Sequence, residues 1–140
     1  MSEPLLVPGQ PYPGLPGWQD LSGHLANGWH LGNSRDYLKV LIEGNTQTIR
    51  GRVRIGTSRE MTGVLPGWVA PGGSLGASTE SASVWTTSGS SAGTESCVVE
   101  LWNSNVLALT NNTIGPGVTA ADREGAILLF TIICERRRQT

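Results

Sequence analysis

From Gln47 to Ile55 the chain reads Gln-Thr-Ile-Arg-Gly-Arg-Val-Arg-Ile, an alternation of period two. Ile49, Gly51, Val53 and Ile55 fall on one face, and Thr48, Arg50, Arg52 and Arg54 fall on the other. A helix would scatter both sets around its axis. A strand sorts them into one dry and one wet face, the signature of an antiparallel sheet covered on one side. A second β-rich run, Tyr37 to Glu43, precedes it across Glu43-Gly44-Asn45-Thr46, so the two form a hairpin. A charge placed on the dry face would cost several kcal/mol. Removing Arg52 from the wet face is expected to cost roughly half a kcal/mol or less. The ordinary environment of that face is solvent or the carboxylates of a neighbouring subunit.

The rest of the chain repeats this theme. Among 140 residues there are 19 Gly and 8 Pro, and 15% are charged. That length bounds the fold to one domain with a modest single core. Further strands are expected at Glu60–Val64, Trp68–Pro71, Ser81–Thr87, Ser96–Trp102, Val106–Thr110 and Ala126–Cys134. Turn chemistry separates them at Pro66-Gly67, Gly72-Gly73, Gly89 to Gly93, Asn103-Ser104-Asn105 and Gly115-Pro116-Gly117. About eight short strands at this spacing predict an all-β fold, an antiparallel β-sandwich of jelly-roll-like type. Within one of them Cys97, Val99 and Leu101 face inward, while Val98, Glu100 and Trp102 face outward. The best helical candidate, Thr119 to Glu124 before Gly125, is a turn or two long.

Residues 1–20 differ from the domain that follows at 21–140. Pro4, Pro8, Pro11, Pro13 and Pro16 interleave with Gly9, Gly14 and Gly17, which excludes a helix or a central strand. The reading is an extended arm, partly polyproline II. Leu5, Leu6, Val7, Tyr12, Leu15 and Trp18 give it more apolar anchors than a disordered linker carries. Such an arm orders by packing on a neighbouring subunit or on its own domain, and the residues leave both open.

Several classes of function find no support. The net charge of −1 steers the chain toward neither nucleic acid nor anionic lipid. Arg136-Arg137-Arg138 is a short basic tail of the kind that is usually solvated. No run reaches the ~18 apolar residues of a membrane span. Met1-Ser2-Glu3-Pro4 lacks the basic start of a secretory signal, so synthesis in a cytoplasm is expected. Cys97 and Cys134 read as small core hydrophobes, with a disulfide left open. His24 and His30 fit no metal-binding spacing. The acids Glu43, Glu60, Glu80, Glu95, Glu100, Asp122 and Glu124 are scattered. There is no nucleophile elbow and no phosphate loop. The expectation is a non-enzyme without cofactor or metal.

The aromatic residues are the better functional candidates. Five Trp stand against one Phe. Trp18, Trp29 and Trp68 read as core or interface. Trp85 opens the Ser/Gly/Thr-rich stretch Thr86 to Thr94, which reads as an exposed loop. Trp102 precedes the Asn103-Ser104-Asn105 turn. An exposed Trp stacks on the apolar face of a sugar ring, and Asn or Ser matches its hydroxyls. The candidate receptor-binding residues are therefore Trp85, Thr86, Trp102, Asn103 and Asn105. For each Trp alone, partial burial as a cap on the sandwich is the commoner fate.

An ordered set of segments points further. Leu25-Ala26-Asn27-Gly28-Trp29 comes first, then the Tyr37-Leu38-Lys39 strand and the hairpin Gly44-Asn45-Thr46 to Val53. Leu65-Pro66-Gly67-Trp68-Val69-Ala70-Pro71 and the apolar strand Ala126 to Ile133 follow. From Leu25 to Cys134 this order resembles the small β-sandwich head domains of tailed-phage tail fibres and receptor-binding proteins. The resemblance implies a virion protein made in the host cytoplasm, at a tail tip, tail fibre or head fibre. It implies a homotrimer that contacts other virion proteins and binds a host-surface saccharide. The arm would attach the head to the particle or to adjacent protomers. Two alternatives stay open: a decoration or minor structural protein that cements other subunits, and a glycan-degrading fibre domain.

Overall fold

The computed structural model describes residues 17–72, 77–78, 82–86, 93–114 and 119–136. At 77–78, 82–83, 85–86, 93–96 and 110–114 it describes the backbone path. Among these residues the chain is all-β, with eight strands in one antiparallel sheet. They are β1 (Trp18–Asp20), β2 (Tyr37–Glu43), β3 (Thr46–Arg54), β4 (Ala77–Ser78), β5 (Ala82–Thr86), β6 (Gly93–Leu101), β7 (Leu107–Ile114) and β8 (Ile127–Glu135). The order is β1-β2-β3-β8-β5-β6, with β7 on the far side of β6. β4 pairs with the Leu101 end of β6 and β5 with its Gly93 end, so the two short strands share one side of β6.

The expected hairpin forms in the expected register. Tyr37 pairs with Arg52 and Glu43 with Thr46, leaving Gly44-Asn45 as a two-residue turn. Gly44 has φ +62°, the backbone that a Gly in the first central position provides. The facing assignment of β3 also holds. Ile49, Val53 and Ile55 are fully buried, and Gly51 lies on the same dry face. β8 matches β3 residue for residue, with Ile49 opposite Ile132, Gly51 opposite Phe130 and Val53 opposite Leu128. A Cβ on Gly51 would land on the Phe130 ring. The glycine is what lets that ring pack directly against β3.

Short bridges curl the sheet on itself. Glu60 pairs with Ala108 of β7, Thr62 with Leu25, and His30 with Arg54 at the end of β3. The far edge at β7 is thus carried back to β3, as in a sandwich whose layers share one core. That core runs from Leu38, Val40, Ile49 and Leu128 to Val84, Val99, Leu101 and Leu109. The Asn27-Gly28 pair makes a tight turn inside this seam, with φ +54° and +84°. It sends Trp29 into the core, where the indole Nε1 donates to the Ser58 carbonyl at 2.9 Å.

Three expectations are corrected. Trp68–Pro71 is not a strand: Gly67–Val69 is a buried 3-10 turn. Its neighbourhood spends carbonyls on side chains, with Leu65 and Pro66 accepting from Asn105, Trp68 from Arg136 and Val69 from Gln47. The amides of Val69 and Ala70 are spent within the turn, on the Pro66 and Gly67 carbonyls, and so are not available to a ladder. Glu60–Val64 contributes isolated bridges at Glu60 and Thr62 and no full strand. Trp18 was grouped with the arm, yet Trp18–Asp20 is an edge strand paired with Lys39–Leu41 of β2. Leu5, Leu6, Val7, Tyr12 and Leu15 lie outside the described residues. The short helical turn materialises as a 3-10 segment at Ala121–Arg123 before Gly125. Cys97 and Cys134 are not joined in a disulfide. Cys134 accepts a hydrogen bond from Gln47 Nε2 at 3.3 Å. Burial raises its thiol pKa, and that hydrogen bond only partly offsets the rise.

The β3–β8 register sets a clear test. Val53→Asp places an uncompensated carboxylate against Leu128 and should abolish soluble expression, at a cost of several kcal/mol. Gly51→Ala should also destabilise, because Phe130 must leave its seat. A Gly51→Ala protein that melts with the wild type in a thermal scan would refute the close packing argued for this pair.

Candidate functional site

Two aromatic surface sites and one buried ionic knot stand out. The knot comes first because it shapes one of the sites. Asp36 closes the 31–36 loop just before β2, and its side chain is inaccessible to solvent. Arg52 Nε donates to Oδ1 at 3.1 Å and Arg54 Nε to Oδ2 at 2.9 Å. The Gly32 amide adds a bond to Oδ2 at 2.6 Å. Burial by itself would raise the carboxyl pKa. The hydrogen bonds from Arg54, Gly32 and Arg52, with the Arg54 charge, outweigh that and hold it below its usual value. This corrects the expectation for the wet face of β3. Arg50 is exposed, but Arg52 and Arg54 neutralise a carboxylate of their own chain.

The first aromatic site lies on the outer face of β1 and β2. Cross-strand register puts Trp18 opposite Leu41 and Asp20 opposite Lys39, and Lys39 in turn opposite Arg50 of β3. Tyr37 stands two residues before Lys39 on the same face. The Lys39 ammonium lies 4.8 Å from the Trp18 ring centroid and 4.6 Å from that of Tyr37, within cation–π range of both. An open groove of about 290 Å³ runs alongside, lined by Trp18, Gln19, Asp20, Tyr37 and Lys39, with Leu31 from the loop that Asp36 ties down. Trp18 and Leu31 are large apolar side chains exposed here, at 40% and 38%.

The second site is the turn after β6. Trp102 is half-buried, as its outward position predicts. Its Nε1 donates to Glu100 Oε1 at 3.3 Å, and the Arg59 guanidinium stacks 4.7 Å from the ring centroid. Asn103 and Ser104 are exposed at the tip. Asn105 is not part of this surface. It is 1% exposed, its backbone has φ +65°, and its Nδ2 donates to Leu65 and Pro66 carbonyls at 2.8 and 2.9 Å. It is the residue that pins the Leu65–Pro66 segment to the turn.

Trp85 and Thr86 end β5, with Trp85 in register with Ile127 and Thr94. The expected loop is shorter at both ends, since Thr86 pairs with Gly93 and Trp85 with Thr94 of β6, and 87–92 lies outside the described residues. Trp85 and Trp102 do not converge. They lie at opposite ends of β6, whose seven steps from Thr94 to Leu101 span about 24 Å at the rise of an extended strand. Tyr37, Lys39, Arg59 and Asp36 were missed by sequence reasoning. The Tyr37-x-Lys39 spacing was a visible signal, but only the β1–β2 register brings Trp18 beside it. Among the described residues there is no cluster of three potential metal ligands and no helix long and apolar enough to cross a membrane.

No protein-family model matches the chain, and no curated protein matches it. Solved structures do. The head domain of the lactococcal phage bIL170, described as a receptor-binding domain, superposes with a TM-score of 0.54 at 16% identity, over 86% of this chain and 97% of that one. The receptor-binding protein gp15 of Listeria phage PSA gives the same score and identity over 86% of this chain and 67% of its own. The shared property is the fold.

The ionic knot predicts a pH dependence. Asp36 titrates lower in the folded state than its unfolded value near 3.8, so its contribution is complete above that pH and lost as pH falls through the folded-state value. Asp36→Asn should lower the melting temperature at neutral pH and flatten the acid limb of stability. Arg52→Ala should cost about 1–3 kcal/mol, because it strips a donor from a buried carboxylate. Urea melts showing a loss below half a kcal/mol would return Arg52 to a purely solvent role.

Proposed function

We propose that this chain is the head domain of a tailed-phage virion protein that binds the host cell surface without enzymatic activity. The observation that carries the reading is the superposition on two phage receptor-binding proteins along 86% of the chain. The surface chemistry supports it. A β scaffold presents aromatic rings beside amide and hydroxyl groups, at Trp102 with Asn103 and Ser104, and at Trp18 with the Tyr37 phenol. Those are the tools of saccharide recognition. The Trp102 ring is held by Glu100 and Arg59 before any ligand arrives, which limits the ordering cost of binding. Saccharide is the proposed receptor class. The proposed site on the particle is a tail tip, tail fibre or head fibre, with synthesis in the host cytoplasm. A homotrimer is the proposed assembly, in contact with other virion proteins through the N-terminal arm.

Purified protein should compete with phage for adsorption to host cells. Trp102→Ala should weaken that competition roughly tenfold or more, the scale of a lost aromatic contact at an interface, with only a modest fall in melting temperature for a half-buried side chain. Trp85→Ala tests the other candidate in the same assay. If wild-type protein binds no host cells, the decoration-protein reading replaces this one. Light scattering at micromolar concentration should report three copies; a stable monomer would rule the trimer out.

A further inference from the structure

Among the described residues the Lys39 ammonium sits between two aromatic faces and donates no hydrogen bond. The rings of Trp18 and Tyr37 stabilise the cation and strip water from two of its sides, yet offer it no oxygen. The carboxylate placed to neutralise it is Asp20, directly across the β1–β2 ladder. Asp20 turns instead along its own chain, and Oδ1 accepts the Ser22 amide at 2.8 Å. No carboxylate of the described residues is ion-paired with Lys39. On the other side Lys39 is paired in register with exposed Arg50, a second positive charge. Beside this cation are a half-exposed indole, Ser22 and open space of about 290 Å³.

A cation of this kind lacks one thing, an anionic oxygen. A charge-assisted hydrogen bond to such an oxygen is roughly twice as strong as a neutral one, and partial desolvation by the rings strengthens it further. Trp18 adds apolar ring surface for the C–H face of a polyol, and Ser22 adds a partner for a hydroxyl. We propose that the β1–β2 groove is a binding site for a polyhydroxylated ligand that carries one anionic group, phosphate or carboxylate, seated on Lys39 against Trp18. The site is separate from the Trp102 turn. It deepens the host-binding reading, on which its biological use rests, by naming a charged class of receptor unit.

The test is titration of the full chain with three probes: glycerol 3-phosphate, glucuronate and neutral glycerol. Binding is followed by NMR at the Trp18 indole N–H, assigned by its loss in Trp18→Ala. One or both anionic probes should shift that signal, at least tenfold more tightly than glycerol, and 0.5 M NaCl should weaken the binding through screening. The phosphate and glucuronate arms decide which anion the groove prefers. Lys39→Met, which keeps the stem but removes the charge, should lose at least tenfold in affinity, and Lys39→Arg should restore much of it. The proposal is overturned if none of the probes shifts the signal at 10 mM, if glycerol binds as tightly as the anions, or if Lys39→Met binds like wild type. If Lys39→Met fails to fold, the salt dependence and the Arg variant decide alone. Host adsorption is scored in parallel. Probe binding without adsorption sinks the host-binding reading and leaves the groove. Adsorption without probe binding sinks the groove and leaves that reading.

Discussion

The pairing of β3 with β8 is the interaction on which the rest of this molecule hangs. Nine consecutive pairs join Thr46–Arg54 to Ile127–Glu135, linking the early hairpin to the last strand of the chain. Each inward pair closes part of the core, with Ile49 on Ile132 and Val53 on Leu128. Gly51 makes the one concession that Phe130 needs. β2 and β1 extend this ladder on one side, and β5, β6 and β7 on the other. A slip of one residue by either strand would turn its buried residues to the outside. Most of the core specification therefore sits in these two segments.

The outer face of the same ladder carries the surface chemistry. Arg52 and Arg54 lie on it, and their convergence on Asp36 ties the 31–36 loop to the sheet. A buried ion pair is weak evidence of stability, but here it fixes geometry. It holds the loop bearing Leu31 against the β1–β2 edge and so builds one wall of the groove beside Lys39. The scaffold is rigid where the sheet is paired. Its aromatic side chains are held by specific partners, Lys39 between two rings and Trp102 between Arg59 and Glu100.

Much of the fold was readable from local pattern because that pattern answers to burial alone. The alternation from Gln47 to Ile55, the Gly44-Asn45 turn and the inward set Cys97, Val99 and Leu101 all reappear in the structure. Where local reading failed, a distant group had claimed the backbone or the side chain. Leu65 to Pro71 has strand-like composition, but Asn105, Gln47 and Arg136 take its carbonyls from 39, 22 and 68 or more residues away. Asn105 has the composition of an exposed turn, yet this same contact buries it. Trp18 reads as part of a proline-rich arm until β2 supplies it with a ladder.

Periodicity and turn chemistry therefore decided the class of the fold, the hairpin, the faces of the strands and the absence of any long helix pattern. These follow from each residue's relation to neighbours a few positions away. Tertiary structure alone decided which arginines find a carboxylate, which Trp lies beside Lys39, and that Trp85 and Trp102 stand at opposite ends of β6. Those facts depend on strand order and register. Strand order and register arise from contacts between segments up to about a hundred residues apart, which no local pattern records.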